Sequence, residues 1–112
     1  MIVCVPIEEG GQVGHSWGRA SNVAIAEVRE GQLVTWRELA VGWDALHDAD
    51  GEGGHHARIA RVLREERVQA VLAGHMGPPM QRMIGNMGID VHLGVTGDAR
   101  SQVLLLRDRP IQ

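Results

Sequence analysis

Ala70-Val71-Leu72-Ala73-Gly74-His75-Met76-Gly77-Pro78 is the stretch on which the fold turns. Four apolar residues in a row mark a strand buried on both faces, as in a parallel sheet covered by helices. Glycines then turn the chain, and Pro78 stands where a first helical turn accepts it, because no N–H is needed there. Beyond it Met80, Met83, Ile84 and Met87 recur at i, i+3, i+4 and i+7, one apolar stripe of a helix that Gly88 stops. Residues 89–93 read as a further strand, apolar at Ile89, Val91 and Leu93. A strand, helix and strand in this order imply parallel pairing through a right-handed crossover.

The same signature opens the chain. Ile2-Val3-Cys4-Val5 is apolar at every position and is closed by Pro6, with a turn at Glu8-Glu9-Gly10-Gly11. Residues 22–28 form a strand, Glu30-Gly31-Gln32 a short hairpin connection, and residues 33–39 the returning antiparallel strand. Residues 41–54 carry Trp43, His47, aspartates and glycines without a period, and read as a loop. A helix follows over residues 55–67, with Ile59, Val62 and Leu63 inward and Arg61 paired with Glu65 outside. Asp98 caps a last helix, roughly residues 99–106.

The order βββαβαβα predicts a single α/β domain of ribonuclease H-like, three-layer layout. Its five-stranded mixed sheet has one antiparallel strand, residues 22–28, and helices on both faces. One geometric consequence follows. The first, third, fourth and fifth strands point the same way, so the loops after them share one rim. That rim collects His15, residues 41–56, His75 and Gly94-Val95-Thr96-Gly97. Open α/β sheets bind ligands outside the carboxyl ends of their strands.

Composition narrows the classes. Net charge is −3 and all eleven basic residues are arginine, so there is no basic footprint for nucleic acid. Tyr and Phe are absent, which leaves Trp17, Trp36 and Trp43 as the aromatics and too few for a base-stacking platform. Cys4 is the single cysteine, so neither an intrachain disulfide nor a CxxC metal site can form, and its place in a buried strand predicts an inert thiol. No segment reads as a membrane span or a signal, and the expected compartment is the cytoplasm. Strand 2–5 lacks the carboxylates that a metal-dependent nuclease of this layout needs, and no glycine-rich nucleotide motif occurs.

The histidines carry the chemistry. His15, His47, His55, His56 and His75 all fall on the expected rim and are the candidate metal ligands, neutral imidazole being the commonest protein ligand. His55 and His56 diverge by about 100° on a helix, so one of them at most joins a given site. His92 alternates with apolar neighbours and reads as structural. Gly74 and Gly77, ahead of a helix N-terminus, suit an anion. Met76 lies off the methionine stripe and near the rim, as a thioether candidate, while Met80, Met83 and Met87 read as core. Arg19 is placed to neutralise an anionic cofactor, with Trp17 beside it. Asp44, Asp48, Asp50 and Glu52 lack the spacing of a calcium loop and read as solvated.

Several stretches together resemble the dinitrogenase iron–molybdenum cofactor biosynthesis family, small carriers related to nitrogenase cofactor-assembly accessory proteins. They are Ile2-Val3-Cys4-Val5-Pro6, Trp17-Gly18-Arg19-Ala20, Gly53-Gly54-His55-His56, Ala73-Gly74-His75-Met76-Gly77-Pro78, Gly88-Ile89-Asp90-Val91 and Gly94-Val95-Thr96-Gly97, in order over nearly the whole chain. The resemblance implies a ribonuclease H-like fold that binds an iron–molybdenum or other metal–sulfur cluster, and a metalloprotein or cofactor-assembly partner. Ser16 between His15 and Trp17, and His75 where the family carries a small residue, depart from its pattern. The second departure implies an added ligand and a different metal. The expectation is a cofactor carrier rather than a catalyst, holding a metal ion or cluster of Fe, Mo or Cu. The alternatives are an enzyme with a mononuclear His-ligated metal, or a cofactor-free interaction module presenting Trp36 and Trp43.

Overall fold

The computed structural model describes residues 1–49 and 51–106. The chain runs through β1 (Ile2–Glu8), a 3-10 turn (Glu9–Gly11), β2 (Gln12–Val13), a second 3-10 turn (Trp17–Arg19), β3 (Asn22–Arg29) and β4 (Gln32–Ala40). It continues through α1 (Trp43–Leu46), α2 (Gly51–Glu65), β5 (Ala70–Leu72), α3 (Pro78–Asn86), β6 (Asp90–His92) and α4 (Ala99–Leu104). The sheet order is β4-β3-β1-β5-β6, with β2 paired to the end of β1. β5 is parallel to β1 and β6 to β5, whereas β3 is antiparallel to both β1 and β4. β1, β4, β5 and β6 therefore share a direction and β3 opposes them, as expected, and the loops after those four strands do lie on one rim.

Three expectations need correction. The sheet has six strands rather than five, because β1 continues past Pro6 to Glu8 and folds back through the 3-10 turn into β2. Pro6 stays in the ladder opposite Val23, and its carbonyl accepts the Gly14 N–H at 2.8 Å. Residues 41–54 are not a loop throughout, since α1 forms there and α2 begins at Gly51 rather than His55. Tertiary contacts override the poor helix propensity of the glycines here. Trp43 is buried, and the N–H groups of Trp43 and Asp44 both reach the Ala20 carbonyl, at 2.9 and 3.3 Å. That burial also removes Trp43 as a contact residue for a partner. Asp50, one of the expected solvated acids, lies outside the described residues.

Alternation along each strand splits the core in two. Cys4, Val23, Ile25 and Val71 face Ile59 and Leu63 of α2 and Met80 and Ile84 of α3. Val3, Val5, Ala24, Ala26, Ala70 and Leu72 face Ala99 and Val103 of α4. Helices on both faces keep the central strands apolar throughout, which is why β1 and β5 show no polar alternation. The methionine stripe is core as read, with Met80 buried and Met83 and Met87 packed against the same cluster. Glu30 and Gly31 both take positive φ, 53° and 75°, the twist a two-residue hairpin turn needs between β3 and β4. Asp98 caps α4, its carboxylate accepting from the Ser101 N–H at 3.0 Å.

Cys4 is fully buried in β1, and that burial, reinforced by the charge of Glu66, pushes its thiol far above the ordinary range. A thiol reagent at pH 8 is therefore expected to leave the native protein unlabelled and to label the unfolded chain fully. Cys4→Ser places an unpaired hydroxyl in this strand and should cost about 1–3 kcal/mol, read as a lower denaturant midpoint at unchanged m-value.

Candidate functional site

The rim is assembled by backbone that continues the sheet beyond its regular strands. Ser16 forms a parallel bridge with His75. The Gly74 N–H donates to the Gly14 carbonyl at 3.2 Å, the His75 N–H to the His15 carbonyl, and the Trp17 N–H to the His75 carbonyl at 3.0 Å. The loop after β6 joins them, with the Gly94 N–H reaching the Gly74 carbonyl at 2.9 Å. Gly74 has no alternative here, because a Cβ on it would lie 2.8 Å from His15 Cα and 3.0 Å from His15 Nδ1. The Glu8 carboxylate accepts the His15 N–H at 2.7 Å and fixes the loop from its other side.

Two cavities open on this rim. One of 420 Å³ lies between the rim and the α1–α2 segment, lined among others by Ser16, Arg19, His47, His56, His75 and Met76. The other, of 700 Å³, lies beside the β1–β2 turn and takes in Glu8, Glu9, His15 and Glu38. Ser16 and Arg19 belong to the walls of both.

Of the residues singled out from sequence, Arg19, His47, His55, His56, His75, Met76 and Gly77 line the smaller cavity. His15 lines the larger one. Trp17 is fully buried beneath them, edge-on to Trp43 with ring centres 5.1 Å apart, and its indole N–H has no partner among the described residues. Gly74 acts through its close approach to His15 and lines neither cavity.

Four of the five histidines form two ring pairs. His15 and His75 stack with ring centres 6.1 Å apart. His47 meets His55 edge-on at 4.9 Å. His55 is buried, its Nε2 bonded to the Gly18 carbonyl at 2.8 Å and its Nδ1 3.3 Å from Arg58 Nη1. Those partners require Nε2–H to donate and Nδ1 to accept, which is neutral imidazole with both nitrogens engaged. His47 pairs with Asp48 at 2.9 Å, and His56 lies 3.9 Å from Glu52 one helical turn away. The convergence of His15, His75 and one of His55 or His56 expected from sequence is not what forms. Among the described residues no three His, Cys, Asp or Glu side chains come together as a metal-holding group.

The helix N-terminus is also weaker as an anion site than its glycines suggested. Pro78 and Pro79 occupy the first turn of α3, so two of the N–H groups a helix start normally offers are missing. Ser16, Glu52 and the Gly18 carbonyl were missed as site groups. The Glu52–His56 spacing of four was visible once α2 was known to start at Gly51. The Gly18 carbonyl carries no sequence signal at all.

Residues 1–107 match the family model described as dinitrogenase iron-molybdenum cofactor. The chain belongs to this family. Membership ties it to iron–molybdenum cofactor biosynthesis or binding. Solved structures share the fold across nearly the full length. The apo form of the orange protein from Desulfovibrio gigas is 21% identical with a TM-score of 0.80, over 99% of this chain and 92% of that one. A protein designated PH0822 is 16% identical with a TM-score of 0.77, over 100% and 95%. A candidate dinitrogenase from Methanocaldococcus jannaschii is 12% identical with a TM-score of 0.68, over 100% and 92%. No curated protein matches the chain. Among the described residues, no helix is long and apolar enough to cross a membrane.

Gly74→Ala should displace the His15 loop and destabilise the protein by about 1–3 kcal/mol, the usual cost of overpacking; an unchanged denaturation midpoint would contradict the close approach. A pH effect follows from His55. Burial, the largest influence, holds its pKa below the ordinary 6.5, against the Gly18 hydrogen bond and with help from the charges of His47, Arg58 and His56. The unfolded chain then binds more protons below about pH 6.5. The stabilisation is complete above that pH and is lost as pH falls toward the folded value. Denaturation midpoints should drop between pH 7.5 and 5.5, and His55→Gln should flatten that drop.

Proposed function

We propose that this chain binds an anionic metal–sulfur cofactor of the iron–molybdenum type in the 420 Å³ cleft and serves in its carriage, storage or insertion. The observation that carries the reading is Arg19. It lines the cleft, and among the described residues its guanidinium has no hydrogen-bond or ion-pair partner. The two carboxylates in the same wall, Asp48 and Glu52, lie 2.9 Å from His47 Nδ1 and 3.9 Å from His56 Nε2, and neither forms an ion pair with Arg19. A forked, always-charged donor left uncompensated at the mouth of a cleft favours a multiply charged anion with acceptors on its surface.

The donor set fits such a group if it is held mainly by hydrogen bonds and charge. The imidazole N–H of His56, the Ser16 hydroxyl and the Arg19 fork can all point at sulfide, and the Met76 thioether offers one soft contact. No thiol is within the cleft, since Cys4 is buried in β1. When bound, the cofactor supplies the metal–sulfur redox and ligand-exchange chemistry. The chain's own part is to neutralise charge, limit access of water and release the group to an assembly partner.

Anaerobic isolation from cells supplied with iron and molybdenum, followed by elemental analysis and an absorption spectrum, tests this directly. Stoichiometric metal with sulfide-to-metal charge-transfer bands is expected. Arg19→Ala should weaken retention by roughly tenfold or more, the worth of a charged hydrogen bond, and Arg19→Lys should restore part of it. A colourless, metal-free wild-type protein from those cells rejects the reading.

A further inference from the structure

We propose that His15 and His75 form a separate two-imidazole clamp for a single divalent ion of the nickel–copper–zinc group, with the rest of the ion's coordination sphere open. This goes beyond the cleft's cofactor and does not require it.

Ring by ring, the histidines differ in what is already committed. His47 is taken by Asp48, His55 by Gly18 and Arg58, and His56 lies against Glu52. The rings of His15 and His75 are exposed, and among the described residues their nitrogens have no hydrogen-bond partner. Their one neighbour of note is each other. The rings are inclined by 17° with centres 6.1 Å apart. Metal–nitrogen bonds of about 2.0–2.1 Å, with each ring centre about 1.1 Å from its nitrogen, put two imidazoles about 5.2 Å apart on a tetrahedral ion and about 6.4 Å apart on a linear one. The rings stack near-parallel, so their in-plane lone pairs do not converge as they stand; with ring centres 6.1 Å apart and both side chains exposed, rotation about their side-chain bonds has to turn one nitrogen of each toward a shared ion.

The backbone holds both residues ready. The bridge of Ser16 to His75, the bond between the His75 N–H and the His15 carbonyl, and the Glu8 carboxylate on the His15 N–H fix the two Cα positions. The missing Cβ of Gly74 leaves the space that the His15 ring occupies. Preorganisation of this kind lowers the ordering cost of chelation. Two neutral imidazoles suit nickel, copper and zinc rather than magnesium or calcium, which need oxygen ligands. Among the described residues no third His, Cys, Asp or Glu converges on the pair, and the remaining positions fall to water or to a ligand brought by a partner.

Zinc chloride titrated into the metal-free full chain at pH 7.5 tests the proposal, by calorimetry and by the side-chain NMR signals of all six histidines. One equivalent should bind, with the signals of His15 and His75 moving most. His15→Ala and His75→Ala should each weaken binding tenfold or more while circular dichroism stays unchanged, and His15→Asn, which keeps a polar side chain at that position, should fail equally. Cys4→Ala and Arg19→Ala should bind zinc as the wild type does, and the latter separates this site from the cleft, whose cofactor Arg19→Ala should lose. An absence of zinc binding, retention of affinity in His15→Ala, or shifts confined to His47 and His56 overturns the proposal.

Discussion

Past the last regular pairs of β1 and β5, the chain keeps two strands' worth of backbone in parallel contact, and the rim depends on it. Gly74 is the centre of this contact. It donates to Gly14, accepts from Gly94 and lies against His15 closely enough that one added carbon would collide. Three loops that are far apart in sequence are thereby joined through one residue. The rim is consequently not a set of free loops resting on a sheet but an irregular continuation of the sheet, and its histidines inherit the precision of strands rather than the latitude of loops.

A second tie comes from the other side of the cleft. Trp43 packs edge-on against Trp17, and His55 reaches the carbonyl of Gly18, so α1 and α2 are both docked on the 3-10 turn that carries Arg19. An aromatic pair in this geometry is worth about 0.5–1.5 kcal/mol beyond its buried area. The same turn leaves the Trp17 indole N–H without a partner among the described residues, a cost of about 1–3 kcal/mol if no water reaches it. The turn is thus held by packing and by one imidazole, at the expense of a buried donor.

How much of this the sequence announced varies by scale. Strand direction, the common rim and the two-sided burial of β1 and β5 were legible, because unbroken apolar runs and helical periods report burial and need no partner to be read. The methionine stripe of α3 was legible for the same reason. β2 was not, being two residues paired across a turn; neither was α1, which the burial of Trp43 and the Ala20 carbonyl support, nor the start of α2, where glycines argue against a helix. At the site, the placement of His15 and His75 on one rim followed from topology. The removal of His55 did not, because it depends on a backbone carbonyl, and every residue has one. Pro78-Pro79 was readable and its effect on the helix start was overlooked.

Ser16 and Arg19 stand in the walls of both cavities, so the two chambers share one guanidinium. Glu8, Glu9 and Glu38 line the larger chamber and Asp48 and Glu52 the smaller, and a single side chain faces both sets of carboxylates. Were an anion in one chamber to draw that side chain toward itself, linkage would make the effect on the other chamber equal in both directions.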